Sequence, residues 1–268
     1  MKMSFLITPR GLNWHYNIVG DGEAILFIHG FGVSSRLWVG QAEHFEPGYK
    51  VITIDLPGHG QSSWQPVGLS DMAFDLNFIL GKIGVEHVNI VASSFGGLVA
   101  LYLLKIDPWR VSRMSFVGSL PKFARTPQYP AGLDIDRIRK LSEQFDGDYQ
   151  SILEIFFRSL FSKKDRESER FKWIKQFHKS DVVPRREALK VFLDILERED
   201  ARDIIAHINC RVQFINGTDD YIVPVEAMKW MEEMLPFANF DYLQGVGHFP
   251  FLIKPKEFNE LLEGFLTS

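Results

Sequence analysis

Three short runs in this chain are apolar at almost every position: Ala24-Ile25-Leu26-Phe27-Ile28, Val51-Ile52-Thr53-Ile54 and Val88-Asn89-Ile90-Val91-Ala92. A strand with one wet face alternates apolar and polar residues, so runs of this kind must be covered on both faces, as in the middle of a parallel sheet. Each is followed by a Gly-containing loop and an amphipathic stretch. Residues 34–45, 70–83 (with Ser70 as N-cap) and 95–106 (ended by Asp107-Pro108) read as helices. Residues 12–19 read as a further strand, joined to 24–28 through Gly20-Asp21-Gly22, a hairpin signal. Residues 115–118 close another strand.

The alternation then stops. Between about 119 and 198 there are helical stretches, three prolines near the start (Pro121, Pro127, Pro130) and many charges, but no strand-like run. It resumes with a strand at 212–216, a helix at 224–234, a strand at 239–243 and a helix at 255–266. The pattern predicts an α/β fold: a mostly parallel central sheet flanked by helices, with a helical lid inserted after the sixth strand. The core comprises residues 1–118 and 199–268, and the helical cap 119–198.

Charge divides along the same boundaries. Residues 119–198 hold 17 Lys/Arg against 13 Asp/Glu, a net of +4, and the remainder holds 13 against 21, a net of −8. The overall −4 argues against a general nucleic-acid binder, while a basic cap on an acidic body suits an acidic partner or substrate. A solvated helical surface is the plainer account of the same charges. The single cysteine, Cys210, forms no disulfide within one chain and fits a reducing compartment. The apolar patch at 5–7 is too short for a secretory signal, and no run approaches the roughly 18 apolar residues of a membrane span. A cytoplasmic monomer without membrane or nucleic-acid contacts is expected.

The strongest chemical signal is Ala92-Ser93-Ser94-Phe95-Gly96-Gly97, between a strand and a helix. A nucleophile on such a sharp turn needs small residues two positions before and two after it. Ser94 meets the condition through Ala92 and Gly96; Ser93 does not, because Val91 and Phe95 would occupy those places. A serine hydroxyl needs a positioned base. His248, in Gly245-Val246-Gly247-His248-Phe249-Pro250 after the last strand, has the best claim among the eight histidines. The base needs an acid to fix its tautomer, and Asp219 and Asp220 both follow a strand. Backbone N–H groups must receive the developing oxyanion: that of Phe31, in His29-Gly30-Phe31-Gly32, and that of Phe95. Asp55, in Asp55-Leu56-Pro57-Gly58-His59-Gly60, is expected to hold a loop together. The glycines that follow it lack the third member of a dinucleotide fingerprint, so no cofactor and no metal are expected.

Together these motifs resemble the α/β-hydrolase superfamily over essentially the whole chain, and within it the pimeloyl-ACP methyl ester esterases of biotin synthesis. The resemblance rests on His29-Gly30-Phe31-Gly32, Asp55 to Gly60, Ser94-Phe95-Gly96-Gly97-Leu98-Val99-Ala100 and Gly247-His248-Phe249-Pro250-Phe251. It rests also on Pro121-Lys122-Phe123-Ala124-Arg125, Tyr129-Pro130-Ala131-Gly132 and Asp200-Ala201-Arg202-Asp203. The fold's recurring Gly-x-x-Asp-x-x-Val-Pro pattern favours Asp220, with Asp219 as fallback, and the chain order Ser94, Asp220, His248 is the one this fold uses. Departures from the best-known members include Phe31 for tryptophan, Phe95 for leucine and Ala92 for glycine.

The resemblance implies a serine carboxylesterase acting on a small acyl ester, the methyl ester of a pimeloyl-acyl-carrier protein. It also implies a four-helix lid on which an acidic acyl carrier protein docks. Arg137, Arg139, Arg158, Lys163 and Lys164 are candidates for that docking. Phe31, Phe95, Phe156, Phe157 and Leu160 are candidates for lining the acyl slot, helix packing being the plainer role for the lid members. Thioesterase, lactonase or C–C hydrolase activity would use the same motifs, and a non-catalytic ligand-binding protein could retain them.

Overall fold

The computed structural model describes residues 2–268. Eight strands form one sheet: β1 (Lys2–Ile7), β2 (Asn13–Val19), β3 (Glu23–Ile28), β4 (Tyr49–Ile54), β5 (Val88–Ser93), β6 (Val111–Val117), β7 (Arg211–Gly217) and β8 (Asn239–Leu243). Their spatial order is β1-β2-β4-β3-β5-β6-β7-β8. β1, β2 and β4 pair antiparallel, and every pair from β4 through β8 is parallel.

The helices of the body are α1 (Val39–Phe45), preceded by a 3₁₀ turn at Ser35–Trp38, then α2 (Leu69–Lys82) and α3 (Phe95–Ile106). Between β6 and β7 come α4 (Ile135–Gln144), α5 (Tyr149–Ser159), α6 (Lys163–Glu167), α7 (Glu169–Lys179), α8 (Arg186–Arg198) and α9 (Arg202–Ile205). The chain ends with α10 (Val225–Met234), α11 (Pro250–Ile253) and α12 (Pro255–Thr267).

The period-two rule explains the two faces of the sheet. On β3, Leu26 and Ile28 join the apolar cluster that holds α2, α3 and α10, whereas Ile25 and Phe27 join the cluster that holds α1 and α12. No position of β3 after Glu23 is left to water.

The hairpin expected at Gly20-Asp21-Gly22 does not form. β2 and β3 are separated by β4, which pairs with both. β4 is buried along Val51–Ile54 and needs a neighbour at each edge as well as a cover on each face. The two glycines turn the chain at φ 69° and 108° without bringing their flanking strands together. β1, whose second half is the patch at residues 5–7, is a strand that the patch alone does not predict. α2 is capped by Gly68 rather than Ser70, and the expected helix at 34–45 begins as 3₁₀.

Among the described residues the insertion between β6 and β7 holds helices and no strand; residues 118–134, ahead of its first helix, form an irregular entry with two isolated bridges. α4, α5, α6 and α7 each start on a side chain that accepts a backbone N–H: Asp134, Asp148, Ser162 and Ser168. α8 is the most clearly amphipathic, with Ala188, Leu189, Phe192, Leu193 and Leu196 buried at helical spacing. The two ends of the insertion are tied to each other. Ala201 N–H donates to Pro121 O at 2.9 Å, and Asp200 pairs with both Lys122 (3.1 Å) and Arg202 (2.6 Å). The Arg202 hydrogen bond leads in holding the Asp200 carboxyl down at about 2, against the burial that opposes it.

The loops after β3 and β4 are locked together by buried polar groups. Asp55 accepts from His15 Nδ1 (2.8 Å), Ser35 N–H (2.8 Å) and Gln61 N–H (2.9 Å). His29 Nε2 accepts from Leu56 N–H (2.9 Å), and His59 Nε2 accepts from Gly32 N–H (3.2 Å). Both imidazoles must be neutral to accept in this way. Burial, the largest cause in both cases, pushes His29 down and pushes His59 down to about 3. Asp55 settles at about 2: burial raises it, against hydrogen bonds from His15 and from the Gln61 and Ser35 N–H groups that lower it. Phe192 of α8 covers this hub, its ring 4.2 Å from Phe95 in a stacked arrangement and 4.9 Å from His59.

Phe192→Ala should therefore destabilise the protein by about 3–5 kcal/mol, as measured by urea unfolding. The histidines set an acid limit. His59 has an ordinary value of 6.5 when unfolded and about 3 when folded. The unfolded chain binds the extra proton below 6.5, so stability falls as pH drops from 6.5 toward 3. Asp55 adds a further loss between 3.8 and about 2. His59→Gln keeps an acceptor for Gly32 N–H and cannot be protonated. Its unfolding free energy, followed against pH, should slope less steeply by about one proton over the first window. Equal slopes would refute this account of His59.

Candidate active site

Ser94 sits where β5 passes into α3, with φ 52° and ψ −121°. It is the one non-glycine with positive φ among the described residues. Such a conformation costs on the order of 1–3 kcal/mol and persists only where its surroundings enforce it. Here Ser94 N–H donates to Val117 O (2.9 Å) on the neighbouring strand, and Ser119 Oγ donates to Ser94 O (2.8 Å). A Cβ on Gly96 would lie 2.6 Å from His29 O, so glycine is needed for the helix to start this close to the end of β3.

His248 follows β8 in a loop that crosses β6 at Gly118, where a Cβ would come within 2.9 Å of Nδ1. Nδ1 lies 2.8 Å from Asp220 Oδ2, with Asp220 4% and His248 2% exposed. A carboxylate can only accept, so Nδ1 carries the proton and Nε2 keeps its lone pair. The other oxygen, Oδ1, accepts from Ile222 N–H (2.8 Å) and Val223 N–H (3.0 Å). Asp219 is exposed, and its carboxylate accepts from Thr218 Oγ1 (3.3 Å). The arrangement orients one carboxylate toward the imidazole and leaves its neighbour in solvent.

Ser94 and His248 line one cavity of about 680 Å³, within the roughly 300–1,000 Å³ of small-molecule sites. Its remaining wall is mostly aliphatic and aromatic. Phe31 stands beside the serine, and Phe156 and Leu160 close the side formed by the insertion. Phe31 packs edge-on against Phe156, with ring centroids 5.2 Å apart. Arg137, Lys140 and Arg166 lie on the same wall, and among the described residues no aspartate or glutamate does.

Two residues expected on the wall are elsewhere. The Phe95 side chain is fully buried, stacked against Phe192 beneath the serine, because the first turn of α3 directs it into the core. Its backbone N–H is the first of α3, a donor without an intrahelical acceptor by position. Phe157 is 1% exposed and stacks on His178 with centroids 3.6 Å apart. The spacing of α5 explains the exchange: Ile152 and Phe156 face the cavity, and Leu153 and Phe157 are the helix's buried pair. Tyr221, Ile222 and Phe249 were missed as lining residues. Each is next in chain to Asp220 or His248 or one place further, a proximity that could have nominated them.

Of the lid cations singled out, Arg139 is engaged with Glu197 at 2.7 Å, and Arg137 reaches the cavity wall. Arg158, Lys163 and Lys164 are exposed. No helix among the described residues is long and apolar enough to cross a membrane.

Comparison with known proteins bears on the fold and the family. The profile of the α/β hydrolase fold family matches residues 23–255. The chain is similar to a pimeloyl-[acyl-carrier protein] methyl ester esterase of Nitrosomonas europaea, 28% identical over 244 residues, covering 91% of this chain and 96% of that protein. It is 27% identical to the protein of the same name from Vibrio campbellii over 246 residues, covering 92% and 95%. Among solved structures, an esterase from Exiguobacterium antarcticum superposes over the whole of both chains with a TM-score of 0.90 at 24% identity. The chain therefore belongs to the α/β-hydrolase family, in which its kinship makes it a carboxylic ester hydrolase.

Proposed function

We propose that this protein is a serine carboxylesterase that removes the methyl group from a pimeloyl chain held on an acyl carrier protein, in biotin synthesis. The observation that carries the catalytic part is the buried Asp220–His248 hydrogen bond opening onto the same cavity as the strained Ser94. The substrate follows from relatives that match over nine-tenths of this chain.

In this reading Ser94 Oγ attacks the ester carbonyl while His248 Nε2 takes its proton. Asp220 holds the imidazole by Nδ1–H and stabilises the imidazolium that forms. The backbone N–H groups of Phe31 and Phe95 receive the oxyanion. His248 then protonates the departing methoxide, water attacks the acyl-enzyme by the reverse route, and the free carboxylate leaves. The apolar wall suits a methylene chain, with Phe31, Phe156 and Leu160 nearest in kind to what such a chain needs.

An acidic carrier protein is supported by charge. The insertion is net positive on a negative body, and the cavity wall carries Arg137, Lys140 and Arg166 without a compensating carboxylate among the described residues. Arg158, Lys163 and Lys164 extend the basic surface, whereas Arg139 is occupied by Glu197. A cytoplasmic monomer completes the reading, consistent with the lone Cys210.

Hydrolysis of p-nitrophenyl esters of increasing acyl length measures the activity directly. Ser94→Ala should lower kcat by roughly 10⁴-fold or more, and Asp220→Asn by about 10⁴-fold. Turnover that survives Ser94→Ala removes the assignment. A second assay separates carrier docking from chemistry: kcat/KM on the carrier-bound methyl ester should fall steeply with added salt, while that on a free short ester should hardly change. Equal salt dependence of the two would exclude electrostatic docking.

A further inference from the structure

The turn joining α5 to α6 meets the histidine loop backbone to backbone. His248 N–H donates to Leu160 O at 2.8 Å. Beside it, Asp165 Oδ2 accepts from Gly247 N–H at 2.8 Å and from Ser162 N–H at 2.9 Å. Asp165 is 2% exposed, and among the described residues no cation pairs with it. A carboxylate withdrawn from water in this way is costly unless hydrogen bonds replace the lost hydration.

The bond to Ser162 has a local explanation. Ser162 and Asp165 form a capping box at the start of α6, closed by Asp165 N–H donating to Ser162 Oγ at 3.0 Å. Capping does not explain the bond to Gly247, 82 residues away. Gly247 is fitted to the approach: a Cβ there would lie 2.7 Å from Ser162 N and 2.9 Å from Asp165 Oδ2. His248 is thus held at two places. Its ring is fixed through Nδ1 by Asp220, and its backbone is fixed by Leu160 O and, one residue earlier, by Asp165.

We propose that Asp165, supplied by the helical insertion, is a positioning residue for the reaction: it fixes the Gly247–His248 backbone so that Nε2 faces Ser94 across the cavity. The role rests on the reading of His248 as the general base. A ring anchored at one nitrogen can still swing if its backbone shifts, and a misplacement of about 1 Å can cost on the order of 10²-fold in rate.

Four full-length variants test this, each with its thermal unfolding recorded alongside. Asp165→Ala should lower kcat on a p-nitrophenyl ester by about 10–100-fold, with KM within about threefold of wild type. The rate at which a fluorophosphonate labels Ser94 should fall by the same factor. The far-downfield proton NMR signal of the His248–Asp220 bond should broaden or shift. Asp165→Asn retains an oxygen that can accept both N–H groups, and should keep kcat within about fivefold. Ser162→Ala breaks the cap but not the bond to Gly247, so it should lower the unfolding temperature and leave kcat unchanged. Should Asp165→Ala fail to fold, Asp165→Glu, which displaces the acceptor by one methylene, should be folded and slower.

A folded Asp165→Ala with wild-type kcat and labelling would overturn the proposal. So would a Ser162→Ala whose kcat falls as far as that of Asp165→Ala, since the effect would then belong to the cap. Failure of wild-type Ser94 to be labelled at all would instead overturn the serine mechanism on which the role depends.

Discussion

The backbone of Ser94 is the constraint around which the rest is arranged. At φ 52° the residue cannot rest in an ordinary strand or helix, and it ends one and begins the other. The sheet bears the cost. β5 lies between β3 and β6, and Val117 O at the end of β6 takes the Ser94 N–H. The same edge supplies Gly118, over which His248 passes, and Ser119, which grips the Ser94 carbonyl. Strain at one residue is thus held by partners on the neighbouring strand, at the carboxyl ends of strands where an open α/β sheet offers a crevice.

The eight histidines show how environment divides one side chain among different tasks. His29 and His59 are buried, have their Nε2 atoms occupied by backbone N–H groups and are pushed toward the neutral form by burial. Neither has a lone pair left for a substrate. They fix the loop that carries Phe31 against the loop that carries Asp55, and so keep rigid the backbone from which an oxyanion donor would come. His248 is equally buried, but its carboxylate partner sits at Nδ1 and its Nε2 is not committed to a backbone donor. What separates these two struts from the proposed base is which nitrogen the fold occupies.

Much of this could be read from the chain because it depends on local patterns. Uninterrupted apolar runs required a doubly covered sheet, and small residues around Ser94 singled it out over Ser93. Less local matters were not legible. The Gly20-Asp21-Gly22 turn looks the same whether its strands pair or are parted by β4, because the parting strand lies outside the window. Asp219 and Asp220 differ by one position, and only the burial of the second, with backbone donors from Ile222 and Val223, separates them physically. Phe156 and Phe157 share composition and helix. Which one faces the cavity depends on how α5 is rotated against the body, a tertiary quantity. Asp165 carried no signal at all beyond a capping box, since its second partner is on the far side of the sequence.

The insertion is therefore poorly described as a cover. α8 contributes Phe192, which stacks on Phe95 beneath Ser94 and touches His59. The α5–α6 turn and α6 contribute the acceptors, Leu160 O and Asp165, that receive His248 and Gly247 N–H. Arg36, just beyond the Phe31 loop, donates to Ser180 O at 2.8 Å at the end of α7. Three parts of the insertion thus reach three parts of the site. A segment attached at so many points cannot swing clear as one body without loosening groups that chemistry needs fixed. Substrate access is more economically obtained by local movement at the cavity mouth, where Arg137, Lys140 and Ile155 are exposed. Arg137 and Lys140, two of the cations proposed to meet an acidic partner, are among these exposed lining residues, so recognition and admission would share one rim while the parts bonded to the histidine loop stay in place.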